Sequence, residues 1–379
     1  MSRAASRLRR GVTRDDATAS EPPGSRARSA RNHPLAEPGD PHPGARLLIA
    51  LSLILMTSCG LAPTNPEIAR RVSRVSEDRL RADIDALTRN GPRSPKNLPG
   101  MRAALTYLKE ELTRAGYEVR EEIISFNAGE ATEPFVEESP PPPLGSFHRY
   151  VNLIAELPGN SGAPILELGA HYDSVIQSVG ADDNASGVAG VLEIARMMSG
   201  LRLERTVRFC FFCLEEYGLK GSDHHAGQIR IRDELLEGII VFEMIGYATE
   251  QPGSQEAPAR IPFLVWPPTV GNFITVVGNI SSGGLGNLVE DAAERYVPRL
   301  KYYSVNRIGG FFSDAARSDH SPYWTRGYRG IMLTDTANFR NPHYHRETDT
   351  PDTLNYTFMR EVTQAGLATA LEWGLGLSR

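Results

Sequence analysis

The sequence predicts an α/β fold in three layers, with a mostly parallel mixed sheet and helices on both of its faces. One observation is composition: hydrophobic residues make up 40% of the chain and charged residues 23%, which allows a core and excludes a disordered or collagen-like protein. The other is that short apolar runs alternate with helical patterns, as in sheets covered on both faces. No internal repeat is visible, so one large domain is the simplest interpretation.

The first 58 residues differ from the rest in charge. The chain has 41 basic and 46 acidic residues, of which the first 58 residues hold nine Arg and five acids, a net charge of +4. The rest, with 32 basic and 41 acidic residues, has a net charge of −9, and the whole-chain charge of −5 argues against a nucleic-acid binder. Residues 1–46 are rich in Arg, Pro, Gly and Ser, a composition that predicts disorder.

An apolar run at residues 47–56 predicts export. Its ten residues rise only about 15 Å as a helix, too short to span a bilayer but suited to the core of a secretory signal with Arg46 as its positive flank. The run ends in Met56-Thr57-Ser58-Cys59-Gly60, which resembles a bacterial lipoprotein signal. That resemblance implies that Cys59 becomes the lipidated first residue of the mature protein. An ordinary cleaved signal with an incidental cysteine is the alternative.

The chain is thus divided into a leader and signal at residues 1–58, a tether at 59–66 and one domain at 67–379. The domain opens with apolar residues at helical spacing over 68–87 and a second helix over 101–115, with Gly116 as a left-handed cap. A strand is predicted at 117–126, followed by a surface loop up to residue 147 that contains four consecutive prolines. Further strands are predicted at residues 151–157, 165–170, 207–214, 239–244 and 330–333, and a helix at 188–198.

Polar residues follow several of these strands at the points where the strands end. Ligands bind outside the carboxyl ends of the strands in an open α/β sheet, so these residues are candidates for a functional site. The candidate segments are His171-Tyr172-Asp173-Ser174, Gly180-Ala181-Asp182-Asp183-Asn184-Ala185-Ser186-Gly187, Glu215-Glu216-Tyr217-Gly218, Glu243-Met244-Ile245-Gly246, Asn341-Pro342-His343-Tyr344-His345 and Asp349-Thr350-Pro351-Asp352.

The residue types in these segments suit a divalent metal. Imidazole and carboxylate ligands together favour Zn²⁺ or a close relative, and one carboxylate can bridge two ions about 3.5–4 Å apart. Adjacent Glu215 and Glu216 can diverge beyond a strand, one as a ligand and the other as a base. Each segment alone has an ordinary explanation: paired glutamates are usually solvated, residues 182–186 also fit a helix N-cap, and a loop histidine can simply form a hydrogen bond. Their occurrence together favours a metal site.

These motifs resemble the di-zinc aminopeptidase family typified by secreted Streptomyces and Vibrio aminopeptidases. That superfamily also includes glutamate carboxypeptidase II, glutaminyl cyclases and the non-enzymatic transferrin receptor. The resemblance covers nearly all of the body and implies a zinc exopeptidase (phosphorylase/hydrolase-like) fold with two Zn²⁺ ions, for which Co²⁺ or Mn²⁺ can substitute. The ligands it implies are His171 and Glu243 for one ion, Glu216 and His345 for the other, and Asp183 as the bridge.

The resemblance also implies roles around the ligands. Glu215 matches the general base, and Tyr344 matches the tyrosine that helps polarise the scissile carbonyl. Asp173 is implied to orient His171 through its second ring nitrogen. Asp319 and His320 recur near the cleft in the resembled family, and support of the pocket is expected of them rather than metal binding. One departure is Glu243, which stands where the best-known secreted enzymes have Asp but still offers a single carboxylate.

Several other reactive residues have structural interpretations. Cys210 and Cys213 lie three apart in an apolar run, so on a strand they face opposite sides and are expected to be buried free thiols. His224-His225 are expected at an exposed helix start. Phe311-Phe312 and Trp324 could line a substrate pocket or pack in the core.

The function that these motifs imply is removal of N-terminal residues from peptides outside the cytoplasm, with a water between two zinc ions as the nucleophile. The expected partners are peptide substrates and, through Cys59, a membrane. Two alternatives have different chemistry: a glutaminyl cyclase, which cyclises the α-amine, and a non-enzymatic ectodomain, whose known relatives have typically lost ligands.

Overall fold

The predicted apolar runs form the central strands of one eight-stranded sheet. The computed structural model describes residues 63–127, 147–257, 260–261 and 265–378, so the predicted leader, signal and Cys59 lie outside the described residues. The strands are β1 Val119–Asn127, β2 Phe147–Leu157, β3 Ile165–His171, β4 Val207–Phe212, β5 Leu236–Glu243, β6 Ile274–Gly278, β7 Tyr302–Val305 and β8 Gly330–Thr334. The α-helices are α1 Pro66–Val72, α2 Glu77–Thr88, α3 Leu98–Arg114, α4 Gly187–Met198, α5 Lys220–Arg232, α6 Gly283–Tyr296, α7 Ser321–Thr325 and α8 Tyr356–Gly374.

The strand order is β1-β2-β4-β3-β5-β8-β6-β7. The central strands β4, β3, β5 and β8 run parallel to one another, and β6 runs parallel to β7. The pairs β1–β2, β2–β4 and β6–β8 are antiparallel. The predicted mixed, mostly parallel sheet is therefore confirmed, and the carboxyl ends of its four central strands lie at one edge.

Burial on both faces explains why the central strands are apolar runs. Every residue of β4 is buried. Phe209 and Phe211 belong to a large core under the helical layer that includes α4 and α8, whereas Cys210 and Phe212 face a smaller cluster under α5 and α7. Cys213 belongs to the large core, so the two cysteines face opposite sides and are buried free thiols, as the spacing predicts.

The first helical segment is interrupted, where the sequence pattern predicts one helix over residues 68–87. The hydroxyl of Ser76 accepts a hydrogen bond from the backbone N–H of Arg79, and this N-cap begins α2 after a break at residues 73–76. Asn65 caps α1 in the same way, by accepting from the N–H of Glu67 at 2.9 Å. Gly116, with φ of +91°, follows α3 in the left-handed conformation that the sequence predicts.

His225 corrects one expectation, because its side chain is buried rather than exposed at a helix start. It lies in α5 with no solvent exposure, and its ring nitrogens are 2.7 Å from Glu122 Oε2 and 3.2 Å from Glu167 Oε1. Arg208 also donates to Glu167 Oε1, at 2.6 Å. Burial opposes protonation of His225, but the negative charge of Glu167 raises its pKa well above the usual value. The histidine is therefore a cation that links α5 to β1 and β3.

Among the helices of the described residues, none has both the length and the apolar character needed to cross a bilayer.

Candidate metal centre and active site

Four candidate residues lie where parallel strands end. His171 is the last residue of β3 and Glu243 the last of β5, and these strands are neighbours. Glu215 and Glu216 follow β4, which pairs with β3 on its other side. Because the carboxyl ends of neighbouring parallel strands meet at one edge, these four side chains lie close together.

Asp183 reaches the same edge from the turn that precedes α4, Ala181–Ser186. The side-chain amide of Asn184 donates to the carbonyl oxygen of Phe242 in β5 at 2.8 Å and so fixes the turn to that strand. Gly187 permits this close approach, since a Cβ at that position would lie 2.1 Å from the same carbonyl oxygen. The local sequence therefore places Asp183 beside the end of β5.

The backbone is strained at three points of the site. Leu214 before the glutamate pair, Met244 after Glu243, and His345 in the loop that follows β8 have φ values of 61°, 53° and 57°. Such conformations cost non-glycine residues on the order of 1–3 kcal/mol each and persist where the surroundings fix them, often at functional sites.

The side chains form two groups of three that meet at Asp183. His171 Nε2 lies 3.4 Å from Asp183 Oδ1 and 3.3 Å from Glu243 Oε2. His345 Nε2 lies 3.1 Å from Asp183 Oδ2 and 3.2 Å from Glu216 Oε2. Asp183 thus presents one oxygen to each histidine, which is the arrangement expected of a carboxylate shared between two metal positions.

Glu215 lies beside the first group, close enough to form a set of possible ligands with His171 and Glu243. One of its oxygens is within 4.8 Å of the donor atoms of His171 and Glu243. Burial, together with the negative charges of Glu243 and Glu216, raises the pKa of Glu215 well above the usual range. The structure therefore brings a carboxyl group with high proton affinity to the edge of the two groups.

Asp173 supports three of these residues at once. Its carboxylate accepts hydrogen bonds from the backbone N–H of Glu215 at 3.1 Å and of Glu216 at 3.2 Å. Its Oδ1 also lies 3.5 Å from His171 Nδ1, the ring nitrogen that faces away from Asp183. A fully buried carboxylate therefore joins the end of β3 to the turn after β4.

Asp349 and Ser318 hold other parts of the site. Asp349 accepts from the backbone N–H of Asp182 at 2.8 Å and of Asp183 at 3.1 Å, which fixes the turn before α4. The hydroxyl of Ser318 donates to Glu243 Oε2 at 2.6 Å. The sequence contained a signal for Asp349, in the segment Asp349-Thr350-Pro351-Asp352, but the contact of Ser318 depends on the fold.

Arg93 is a site residue that the sequence patterns do not indicate. Its guanidinium is fully buried and donates to three backbone carbonyls, those of Tyr172 at 2.6 Å, Gly180 at 2.8 Å and Val179. These carbonyls belong to the segments just after His171 and just before the Asp183 turn. Burial lowers the pKa of Arg93 to about 10, so the group remains a cation beside the acidic site. No local motif marks it, because its partners lie about 80 residues away.

The electrostatics of the two groups favour bound cations. Burial opposes protonation of His345, yet hydrogen bonding to Asp183 and Glu216 raises its pKa to about 10. Burial and the negative charge of Asp183 raise the pKa of Glu216 to about 8. His171 likewise has a raised pKa despite its burial, because of Glu243 and Glu215. Such shifts show an excess of buried negative charge that attracts protons or metal ions.

The donor set also fits a metal chemically. Glu216 Oε1 is buried without a hydrogen-bond partner among the described residues, although a buried carboxylate oxygen is normally paired. Two imidazoles with carboxylates are the ligand types that zinc takes, and Asp173 and Ser318 contact ligands from behind, as residues around metal sites usually do. The residues present therefore fit two zinc ions that share Asp183.

Tyr344 lies beside His345 of the second group and lines the adjacent cavity. Its ring stacks on the imidazole of His345, with centroids 3.9 Å apart, and its hydroxyl oxygen accepts from Arg317 Nη2 at 3.0 Å. Burial and the charge of Asp183 raise the pKa of Tyr344, so the phenol keeps its proton.

Asp319 and His320 lie outside both groups of donors. Both are fully buried, and burial raises the pKa of Asp319 to about 7 and lowers that of His320 to about 4. His320 donates to the carbonyl oxygen of Ala315 at 2.7 Å and contacts Trp324 edge-on. Trp324 in turn donates to Gly330, so it supports the start of β8 rather than a cavity.

A cavity of about 330 Å³ opens beside Asp183, Glu216 and Tyr344. Its floor is one face of β7, β6 and β8, on which the strand register aligns two rows of side chains: Val305, Val277 and Met332, and then Tyr303, Thr275 and Thr334. The second row continues to the ligand group, since Thr334 pairs with Glu243. Phe273, Phe312 and Phe339 also line the cavity, whereas Phe311 is 73% exposed.

A sequence model of Peptidase family M28 matches residues 152–370, which include every candidate ligand. The protein YfbL of Escherichia coli K12 is 33% identical over 311 residues, which cover 78% of this chain and 88% of YfbL. The probable lipoprotein aminopeptidase LpqL of Mycobacterium tuberculosis is 32% identical over 58% of this chain and 44% of LpqL.

Solved structures share the fold at low sequence identity. The LapA aminopeptidase of Legionella pneumophila aligns with a TM-score of 0.62 and 18% identity, over 86% of this chain and 79% of LapA. The zinc aminopeptidase BSAP of Bacillus subtilis aligns with a TM-score of 0.60 and 15% identity, over 79% of this chain and 95% of BSAP. The glutaminyl cyclase of Porphyromonas gingivalis aligns with a TM-score of 0.59 and 20% identity, over 79% of this chain and 99% of the cyclase.

Proposed function

We propose that this chain, which belongs to peptidase family M28 and is a hydrolase acting on peptide bonds, is a zinc aminopeptidase. The match to the family model confirms the family resemblance that the sequence motifs indicated. One observation supports the finer proposal above the others: two histidine–carboxylate groups share Asp183 beside a cavity with many apolar lining residues.

The proposed ligands follow the two groups. His171 and Glu243 hold one zinc ion, and Glu216 and His345 hold the other, with Asp183 between them. The distances between the donor atoms, 3.1–3.4 Å, support this assignment because atoms that share a tetrahedral zinc at about 2.0–2.2 Å are separated by similar distances. When bound, zinc supplies Lewis acidity that makes water nucleophilic at neutral pH and polarises the scissile carbonyl.

Glu215 is the proposed general base. Its burial and its acidic neighbours make it a stronger base than a solvated glutamate, so it can take a proton from water at one carboxylate oxygen and pass it to the leaving amine. Asp173 fixes the backbone of Glu215 and thereby its position. A general base with this placement is worth about 10²–10⁴-fold in rate.

Tyr344 is the proposed hydrogen-bond donor to the oxyanion that forms from the carbonyl. Its raised pKa keeps the hydroxyl proton in place, and its ring is held flat against His345. A donor that is already oriented toward the developing charge needs no reorganisation during the reaction.

The cavity indicates which N-terminal residue the enzyme prefers. Val277, Met332 and Phe312 line the same cavity as the proposed ligands Asp183 and Glu243, so the side chain of the first residue can enter it while the scissile bond lies at the metal site. Large apolar residues such as Leu or Phe are therefore the proposed substrates.

Export and attachment to a membrane through Cys59 are also proposed. The signal-like segment supports export, and the name of the relative LpqL, a probable lipoprotein aminopeptidase, gives indirect support for a lipid anchor. In this proposal residues 1–58 are removed, 59–66 form a tether, and 67–379 form the catalytic domain.

A screen of aminoacyl-p-nitroanilides with zinc-loaded protein tests the function. Leucyl and phenylalanyl substrates should be cleaved, and their N-acetylated analogues should not, because an aminopeptidase requires a free amine. Cleavage of the acetylated series would exclude an aminopeptidase. Conversion of an N-terminal glutamine to pyroglutamate without peptide cleavage would instead favour the cyclase, whose fold the chain shares.

A further inference from the structure

Arg317 contacts Tyr344 at its hydroxyl group. Its Nη2 donates to the phenol oxygen at 3.0 Å, and its guanidinium carbon lies 5.9 Å from the centre of the Tyr344 ring. Both residues line the cavity beside the proposed ligands. The tyrosine is therefore held by two contacts, a stack on a ligand and a hydrogen bond from an arginine.

Arg317, whose side chain is 42% exposed, makes two further contacts. Its Nη1 donates to Asn338 Oδ1 at 2.9 Å, and Asp314 lies 3.6 Å from the same nitrogen. The next residue in the chain, Ser318, donates to Glu243, so the backbone at this point is connected to the first ligand group. A guanidinium held in this way can fix the direction of the bond that it donates.

This hydrogen bond determines where the phenol proton can go. A phenol has one proton, and its oxygen can accept as well as donate. In the described part of the chain the oxygen of Tyr344 accepts from Arg317, and no residue lies within hydrogen-bond distance to accept its proton.

We propose that Arg317 is a positioning residue that directs the hydroxyl of Tyr344 toward the oxyanion of the substrate. The inference rests on the proposed function, in which Tyr344 is the donor. Arg317 itself does not contact the reacting atoms in this role. Its guanidinium donates a hydrogen bond to the phenol oxygen, which leaves the phenol's own proton directed toward the cavity.

A double-mutant cycle with leucyl-p-nitroanilide and zinc-loaded enzyme tests the proposal. Tyr344→Phe should lower kcat about 10²–10³-fold, the usual effect of losing one oxyanion donor. Arg317→Ala should lower kcat about tenfold, with KM within twofold of wild type, and should have no further effect in the Tyr344→Phe background. Arg317→Lys, which keeps a cationic donor, should recover part of the loss.

A matched control is Arg329→Ala, since Arg329 is exposed to a similar extent, 48% against 42%, and pairs with Glu237. It should leave kcat unchanged. Equal effects of Arg317→Ala in both backgrounds, or no effect in either, would overturn the proposal. So would an unchanged rate on the p-nitroanilide with a raised KM for leucylglycine, because Arg317 would then bind the carboxylate of the peptide. If wild type cleaves neither substrate, the proposed function itself fails.

Discussion

Replacing Asp173 with Asn tests whether the carboxylate behind the ligands matters to the metal. The change keeps the size of the side chain but removes its charge and one of its two acceptor oxygens. In the wild-type protein Asp173 Oδ1 accepts from the backbone N–H of Glu215 at 3.1 Å, and Oδ2 accepts from that of Glu216 at 3.2 Å, so the substitution removes one of these two bonds. Hydrogen bonds to a charged group contribute about 1.5–3 kcal/mol, and at about 1.4 kcal/mol for each factor of ten the expected loss in zinc affinity is about 10- to 100-fold.

Zinc affinity can be measured by competition with a chromophoric chelator, with the melting temperature as a check on folding. Asp223→Asn is the control, because Asp223 is a carboxylate that pairs with Arg326 at 2.7 Å and is 57% exposed. Its zinc affinity should equal that of wild type. If Asp173→Asn binds zinc as tightly as this control does, the argument that Asp173 positions the ligands is wrong.

Three other changes have defined outcomes. Asp183→Ala should lose more zinc than His345→Ala, as counted by elemental analysis, because the Asp183 carboxylate faces both His171 and His345; the reverse order would refute a shared carboxylate. His225→Gln should lower the free energy of unfolding most below about pH 6.5 and progressively less as the pH rises. A raised pKa stabilises the fold below the unfolded value of about 6.5, and this contribution is lost as pH rises through the folded value. A urea-unfolding difference independent of pH would contradict it. Cys59→Ser should release active enzyme from membranes or leave an uncleaved precursor; unlabelled, soluble wild type in a palmitate-labelling experiment would exclude the anchor.

The ligand-bearing strands could be predicted because they are buried on both faces. Strands β3, β4 and β5 are largely apolar, with one charged residue inside each, and their ends are marked by the polar residues His171, Glu215 and Glu243. The rule that parallel strands present their carboxyl ends at one edge then predicts that these residues meet. Their individual roles remain predictions.

The cavity was not predicted, because its floor depends on how β6, β7 and β8 pair. β6 is a buried, largely apolar strand that was not among those predicted from the sequence, whereas the four residues of β7 are all only partly buried and form no conspicuous apolar run. Their faces become a floor only through pairing with β8, which is distant in sequence. The apolar pocket is therefore a property of the register.

Buried charge was the other feature that local patterns did not reveal. His225 stands among polar neighbours in Gly221-Ser222-Asp223-His224, which is typical of a helix surface. It is buried because Glu122 and Glu167, 103 and 58 residues away in the chain, compensate its charge. Arg93 is buried for a similar reason, since its partners are distant carbonyls.

Glu215→Gln, assayed for both metal content and turnover, tests the central claim most directly. Glu215 is proposed to act as the base and Glu216 as the ligand, so the variant should keep about two zinc ions per chain, while kcat on leucyl-p-nitroanilide should fall at least about a hundredfold. Loss of zinc from Glu215→Gln, with zinc retained by Glu216→Gln, would show that the two residues have the opposite roles. A kcat close to that of wild type would show that Glu215 is not the base.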